Sequence, residues 1–244
     1  MIDGIDRTQR NAAKAVGIAY ILTNALAWFA EFHVRARLID YQSAAITAAN
    51  IGASQSLFRL ALAADLLTFA LDVIIVVGTY LILRSVNRSL AIFGLAWRLI
   101  ETAVVTIMAL NTFQILTLLS DSPYVRAIPA AYLHSMVGMA IDAHNAGYNV
   151  GFLFFGLGSG AFCLAWYQSR YIPRVLAAWG ILGSVLAAAS TFVYTLSPAL
   201  TRIVEPRCFV PIGTFELILG FWLLLRGLPR APGAALQAAR APTP

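Results

Sequence analysis

Charge is scarce in this chain. Asp, Glu, Lys and Arg make up 11% of its 244 residues, against 60% hydrophobic residues and a mean hydropathy of +0.77. A water-soluble domain carries about a quarter of its residues as charges, so a soluble fold is excluded. Cysteine is nearly missing: Cys163 and Cys208 are the pair present. They lie at different expected depths and without nearby histidines, which excludes a disulfide framework and a metal motif. No nucleotide-binding, zinc-protease or nucleophile-elbow signature occurs, so no cofactor is expected. Ten-residue stretches of alternating polarity are missing too, which excludes a transmembrane barrel. The net charge of +6 and pI near 9.7 point at first to nucleic acid. The basic residues form no stripe with interleaved aromatics, however, so that partner is excluded as well.

What the chain has in abundance is long apolar runs. Six qualify as spanning segments: 12–32, 57–83, 90–118, 147–167, 175–196 and 210–225. A spanning helix needs roughly 20 mainly apolar residues. The expected fold is therefore all-α, a six-transmembrane-helix bundle in one domain over 12–227. A polar, frayed segment 1–11 precedes it, and a Pro/Ala-rich tail 228–244 follows, read as disordered. Arg7, Arg10, Lys14, Arg84, Arg88, Arg170, Arg174, Arg226, Arg230 and Arg240 fall on one side of the expected bundle. Arg35, Arg37, Arg126, Arg202 and Arg207 fall on the other. The positive-inside rule then places both termini in the cytoplasm. The first run starts basic, and Ala25-Leu26-Ala27 resembles a signal-peptide cleavage site. The apolar stretch continues to Phe32, so the run is read as a retained span.

The links carry signals of their own. The short link 84–88 makes the second and third helices antiparallel neighbours. Residues 33–56 have room for an interfacial segment with weak helicity at 44–51, and Ser54 or Ser56 is placed to cap the second span. Residues 124–143 mix polar and apolar side chains and read as a segment lying in the outer interface. Pro173 stands at the start of the fifth helix, and Pro198 and Pro206 bracket the last outer loop.

Charge inside hydrocarbon costs several kcal/mol unless it faces protein or water, so intramembrane charges mark candidate sites. At 1.5 Å rise per residue, Asp72 and Glu216 fall near the bilayer midplane. Asp65 lies two turns farther out on the same face as Asp72. Arg98 and Glu101 are one turn apart on the third helix, and Glu31 and Arg59 stand at the outer ends of the first and second. The fourth run adds Asp142, Asn145 and Asn149 at helical spacing, flanked by His144 and Tyr148. Below them Gly156 and Gly160 let another helix approach closely. The inner parts of the first, second, fourth and sixth helices are nearly all apolar. The polar groups thus outline a funnel, open to the outer face and sealed on the cytoplasmic side.

Five acids in this set (Glu31, Asp65, Asp72, Glu101, Glu216) face two bases. Asp65 or Glu31 can pair with Arg59, and Asp72 or Glu101 with Arg98, which leaves three carboxylates over. A surplus carboxylate in such surroundings holds a proton or binds a cation. Asp65, Asp72 and Glu216 are accordingly the candidate general acids. Glu31, Arg59, Arg98, Glu101, His144, Asn145, Tyr148 and Asn149 are the candidate ligand-binding groups. The plainer readings stand beside these. Arg98 and its acids pin two helices, Asn145 and Asn149 bond between helices, and His144 with Tyr148 forms a hydrogen-bonded pair. Trp28, Trp166, Tyr167 and Trp179 read as interface-belt or lipid-facing aromatics.

Several ordered segments carry a resemblance: Phe29-Ala30-Glu31-Phe32-His33-Val34-Arg35, Phe58-Arg59-Leu60 through Ala64-Asp65-Leu66, and Leu83-Arg84-Ser85-Val86-Asn87-Arg88. Trp97-Arg98-Leu99-Ile100-Glu101, Tyr171-Ile172-Pro173-Arg174 and Glu216-Leu217 carry it too. Over 10–227 the chain resembles the bacterial integral-membrane family catalogued as domain of unknown function 4386. It departs at Glu101, where the family pattern carries Gln as often, and across the variable Asp142-Ala143-His144-Asn145. The resemblance implies a six-helix protein of the bacterial inner membrane without an agreed activity. Three function classes follow from the residues. The first is an accessory or regulatory subunit with a membrane-protein partner. The second is an enzyme acting on a lipid or isoprenoid by general acid catalysis. The third is a proton- or cation-coupled carrier of a small molecule, against which no inverted repeat and no broken helix pair is found.

Overall fold

In a computed structural model, which describes residues 6–197, 199–201 and 207–229, the chain is helical, with no strand among the described residues. Arg202, Arg230, Arg240, Pro198, Pro206 and the tail from 230 onward lie outside the described residues. In lipid every backbone N–H and C=O must be satisfied by the protein itself, and a single apolar run does so as a helix.

Helix α1 (Arg7–Trp28) opens on a capping box, the Asp6 side chain accepting from the Gln9 N–H and the Gln9 side chain from the Asp6 N–H. Residues 7–11, expected to fray, are thereby the first turn of α1. Gln9 also donates to the Ile82 carbonyl at 3.1 Å and to Ser85 at 3.0 Å, tying this end of α1 to the 84–88 link and the residues just before it. Beyond Trp28 the helix widens into a π-helical segment, Phe29–Arg35, and ends in the short α2 (Ala36–Leu38). Then come α3 (Ala44–Ala53), α4 (Gln55–Leu83), α5 (Arg88–Leu118), the single turn α6 (Pro123–Arg126), α7 (Ala130–Ser169), α8 (Arg174–Leu196) and α9 (Val210–Leu225).

The six long helices form a ring in chain order. Helix α1 packs on α4, α4 on α5, α5 on α7, α7 on α8, α8 on α9, and α9 returns to α1. Close approach at the seams is set by small residues. A Cβ on Gly156 would meet the Ser184 carbonyl at 2.5 Å, and one on Gly17 the Gly220 carbonyl at 2.9 Å. The first is the α7–α8 contact expected from the Gly156/Gly160 spacing; the second closes the ring.

Two apolar cores stack along the ring. One gathers Val16, Tyr20, Val76, Phe162, Phe215 and Leu219 toward the end where α1 begins. The other gathers Val34, Ile51, Phe58, Val105, Val137 and Ile141 toward the opposite end. The second core corrects the reading of 124–143 as interfacial. Val137, Ala140 and Ile141 continue the helical stripe of the fourth span, and burial against α3 and α5 extends α7 to 40 residues. Two smaller corrections follow. Ser54 occupies the N-cap of α4 without a side-chain capping bond, and Trp166 is fully buried rather than lipid-facing.

Five helices are long and apolar enough to cross a membrane: Arg7–Leu38, Gln55–Leu83, Arg88–Leu118, Ala130–Ser169 and Arg174–Leu196. They make a multi-pass membrane protein. Helix α9 is apolar but has 16 residues, about 24 Å of rise against a hydrocarbon core of about 30 Å.

Candidate functional site

The polar side chains of the spans gather in two separate clusters. The central one lies between the two apolar cores. Arg98 of α5 is 3% exposed. Its Nη2 donates to Asp72 Oδ1 of α4 at 3.1 Å, and its Nη1 donates to Ser159 Oγ of α7 at 3.4 Å. The same Nη1 stands 3.7 Å from Glu101 Oε2, one turn along α5. The guanidinium lies 4.2 Å over the Phe155 ring. One cation thus joins three helices. Thr102 and Thr106 donate back to the carbonyls of Arg98 and Thr102, so these hydroxyls are satisfied on their own helix. Glu216 of α9 and Tyr20 of α1 lie within electrostatic reach of Arg98 and Asp72 from across the ring. Glu216 itself makes no hydrogen bond or ion pair with a described residue.

The second cluster sits nearer the far end. Arg35, at the end of the π-helical segment, is 5% exposed. It donates through Nη2 to Asp65 Oδ2 of α4, and through Nη1 to Glu31 Oε2 at 3.3 Å. Asp65 is buried, whereas the Glu31 side chain is 52% exposed and reaches the surface. Against them α7 presents His144 and Tyr148, whose rings meet edge-on at 5.1 Å. His144 Nδ1 shares a hydrogen bond with Thr112 Oγ1 of α5 at 3.1 Å. Tyr148 lies in electrostatic reach of Asp65 and Arg35 on one side and Glu101 on the other.

Of the expected site residues, Asp72, Arg98, Glu101 and Glu216 come together, and so do Glu31, Asp65, His144 and Tyr148. Arg59 does not join: it is exposed on α4 and forms no ion pair with a described residue. Its expected role falls to Arg35, which lies past the end of the first apolar run in the sequence. The i,i+4 spacing of Glu31 and Arg35 was the available signal. Asn149 donates along its own helix to the Asn145 carbonyl at 3.1 Å, and its carbonyl accepts from Thr191 of α8 at 2.7 Å. The interhelical bond thus runs through backbone rather than through the two amides. Asp142 is exposed. Ser159 was not anticipated, being one small polar residue in an apolar run.

The funnel expected from the sequence does not coincide with either of the two best-formed cavities. Neither of the two best-formed cavities joins the clusters. One, of about 370 Å³, is an apolar groove open to the lipid side between α5, α7 and α8, lined by Phe93, Trp97, Gly156, Gly160, Ala161 and Ala188 among others. The other, beside Arg35 and His144, is about 10 Å³, at or below what one water requires. Among the described residues no group of three potential metal-ligating side chains forms. Cys163 and Cys208 are buried and not disulfide-bonded.

A family model described as Domain of unknown function (DUF4386) matches residues 15–227. No curated protein and no solved structure matches the chain.

Proposed function

The protein belongs to the DUF4386 family, and from that premise we propose that it is an accessory or regulatory subunit of the bacterial inner membrane. On this reading α9 completes a sixth span, both termini lie in the cytoplasm, and the protein acts through its helical surface on a membrane-protein partner. One observation carries the proposal: both buried arginines of the spans are held by carboxylates inside the ring. Arg98 ties α4, α5 and α7, and Arg35 ties the end of the first span to α4. A lipid or isoprenoid substrate must bring its reacting atom to an acid, and the void beside Arg35 and His144 is about 10 Å³. The surface offers more room. The groove between α5, α7 and α8 has Gly156, Gly160, Ala161 and Ala188 among its lining residues, small side chains of the kind that admit a neighbouring helix.

Gentle detergent extraction followed by native mass spectrometry tests the proposal. A heteromer of fixed stoichiometry is expected, with its partner crosslinking to A161C in the groove and not to L66C on α4. A lone monomer, or crosslinking that ignores position, overturns it. The alternative is an enzyme using a general acid on a lipid or isoprenoid, and it rests on Glu216, the central acid without a hydrogen bond or ion pair to a described residue. Under that alternative E216Q folds normally and yields no product from a lipid extract; full turnover removes the acid from consideration.

A further inference from the structure

The central cluster holds more acids than bases. Asp72, Glu101 and Glu216 surround one base, Arg98. The other titratable groups facing this space are Tyr20 of α1, Cys163 of α7 and, from the far side of Glu101, Tyr148; neutral or ionised, none supplies a positive charge. Thr102, Ser159 and Ser184 are nearby hydroxyls, and Thr102 donates to the Arg98 carbonyl. A sodium ion or a protonated amine needs a hollow with several oxygens turned inward. Neither of the two best-formed cavities reaches these acids, and they do not group as metal ligands. A proton needs no hollow.

We propose that Glu101 and Glu216 form a two-proton site at the middle of the six-helix ring, each carrying a proton while Asp72 stays ionised against Arg98. The assignment follows the contacts. Asp72 holds the 3.1 Å charge-assisted hydrogen bond to Arg98. Glu101 is 6% exposed, and its Oε2 is buried with no hydrogen-bond partner, 3.7 Å from the guanidinium. An ionised carboxylate oxygen left that way in the protein interior is strongly disfavoured, whereas a carboxylic acid is tolerated. Glu216, half-buried on α9, lies within electrostatic reach of the same cation and makes no hydrogen bond or ion pair with a described residue. Two protons make the cluster neutral. Because the acids stand on α5 and α9, opposite sides of the ring, loading or releasing the protons would set the repulsion between those sides. This inference does not depend on a partner subunit.

Infrared spectroscopy of the purified full chain in lipid nanodiscs tests it at neutral pH. The chain has four glutamates, Glu31, Glu101, Glu205 and Glu216, so carboxyl-¹³C glutamate in an E31Q/E205Q background reports on the proposed pair alone. A protonated-carboxyl C=O band is expected that shifts with labelled glutamate and in D₂O, does not shift with labelled aspartate, and loses half its area in E101Q or E216Q. No protonated-carboxyl band, or one that follows labelled aspartate, overturns the proposal. Should either Gln variant fail to fold, the isotope result in the unsubstituted pair decides by itself.

Discussion

Arg98 and Arg35 illustrate what a buried cation does inside a membrane protein. Each is held by carboxylates on more than one element, so removing the cation strands acids in low dielectric. Breaking a buried pair from one side typically costs about 3–5 kcal/mol, whereas replacing both partners with apolar groups of similar volume is often neutral. Arg98→Met is therefore expected to lower the thermal unfolding midpoint in detergent by that order. Adding Asp72→Leu should recover part of the loss; a double variant worse than the single would show that Asp72 has another partner. Arg35→Met should be comparably damaging, because Asp65 loses its buried donor. Arg59→Ala should stay within about 0.5 kcal/mol of the parent, as exposed substitutions usually do. Equal losses at Arg35 and Arg59 in the same melting assay would return the pairing to Arg59. The contrast also shows where the sequence was readable. Asp72, Arg98 and Glu101 stand well inside uninterrupted apolar runs, so depth counting along an ideal helix brought them together. Arg35 was misplaced because the chain widens to i→i+5 bonding after Trp28. A count at 3.6 residues per turn loses the face within one such turn.

Elements joined by glycine carry their own tests. A Cβ on Gly158 of α7 would stand 2.7 Å from Arg98 Cγ and 2.9 Å from its backbone nitrogen, so the α5–α7 seam fits hydrogen and nothing larger. Gly158→Ala is expected to cost about 1–3 kcal/mol by overpacking. Gly213 of α9 has nothing within 4 Å of the same position, and Gly213→Ala should raise the melting midpoint through helix propensity, by up to about 1 kcal/mol. Matching losses at both positions would mean the seam is looser than drawn. The link before α7 is held differently. Arg126 forks onto Asp121 at 2.8 and 2.5 Å across the single turn of α6, and holds its carboxyl below the usual carboxylate range. A depressed native value means that the bond's contribution is complete above the unfolded value, near about 4. It is lost as pH falls through the lowered native value. The protection of the Val125 and Arg126 amides against exchange, relative to the intrinsic rate at each pH, should fall over that range, since their N–H groups bond the Ser122 carbonyl, and D121N should show the lower protection at neutral pH. Exchange that ignores both changes would detach the pair from the turn. The 40-residue length of α7 was not legible beforehand. Polar residues such as Ser135 and Asp142 on its exposed face masked the Val137–Ile141 stripe, which becomes core once α3 folds over it.

At the scale of the molecule the ring is closed by α9, the shortest of its six long helices, against α1 and α8. Its length leaves a specific question of topology. Gly17 and Gly220 bring the α1 and α9 backbones together partway along both helices, and the Trp222 ring beneath the Arg226 guanidinium at 4.9 Å places an aromatic–cation anchor at its end. Such anchors sit at membrane–water interfaces, and tilt or local thinning accommodates a short helix at modest cost. The described basic residues follow the same division. Arg7, Arg10, Lys14, Arg84, Arg88, Arg170, Arg174 and Arg226 lie at the end where α1 starts and α9 stops. Arg37, Arg126 and Arg207 lie at the opposite end. Both considerations place residue 226 on the side of residue 7. Single cysteines in a chain with Cys163 and Cys208 replaced by serine test this with a membrane-impermeant maleimide on intact cells and on inverted vesicles. S85C and a cysteine at 240 should label from the cytoplasmic side alone, and S122C from the external side alone. If S85C and S122C behave as expected while position 240 labels from outside, α9 enters the ring without crossing. The protein then has five spans, and its two ends face opposite compartments. Glu216 would in that case sit on a re-entrant element, and the charge balance at the centre of the ring would have to be redrawn with solvent on one side of it.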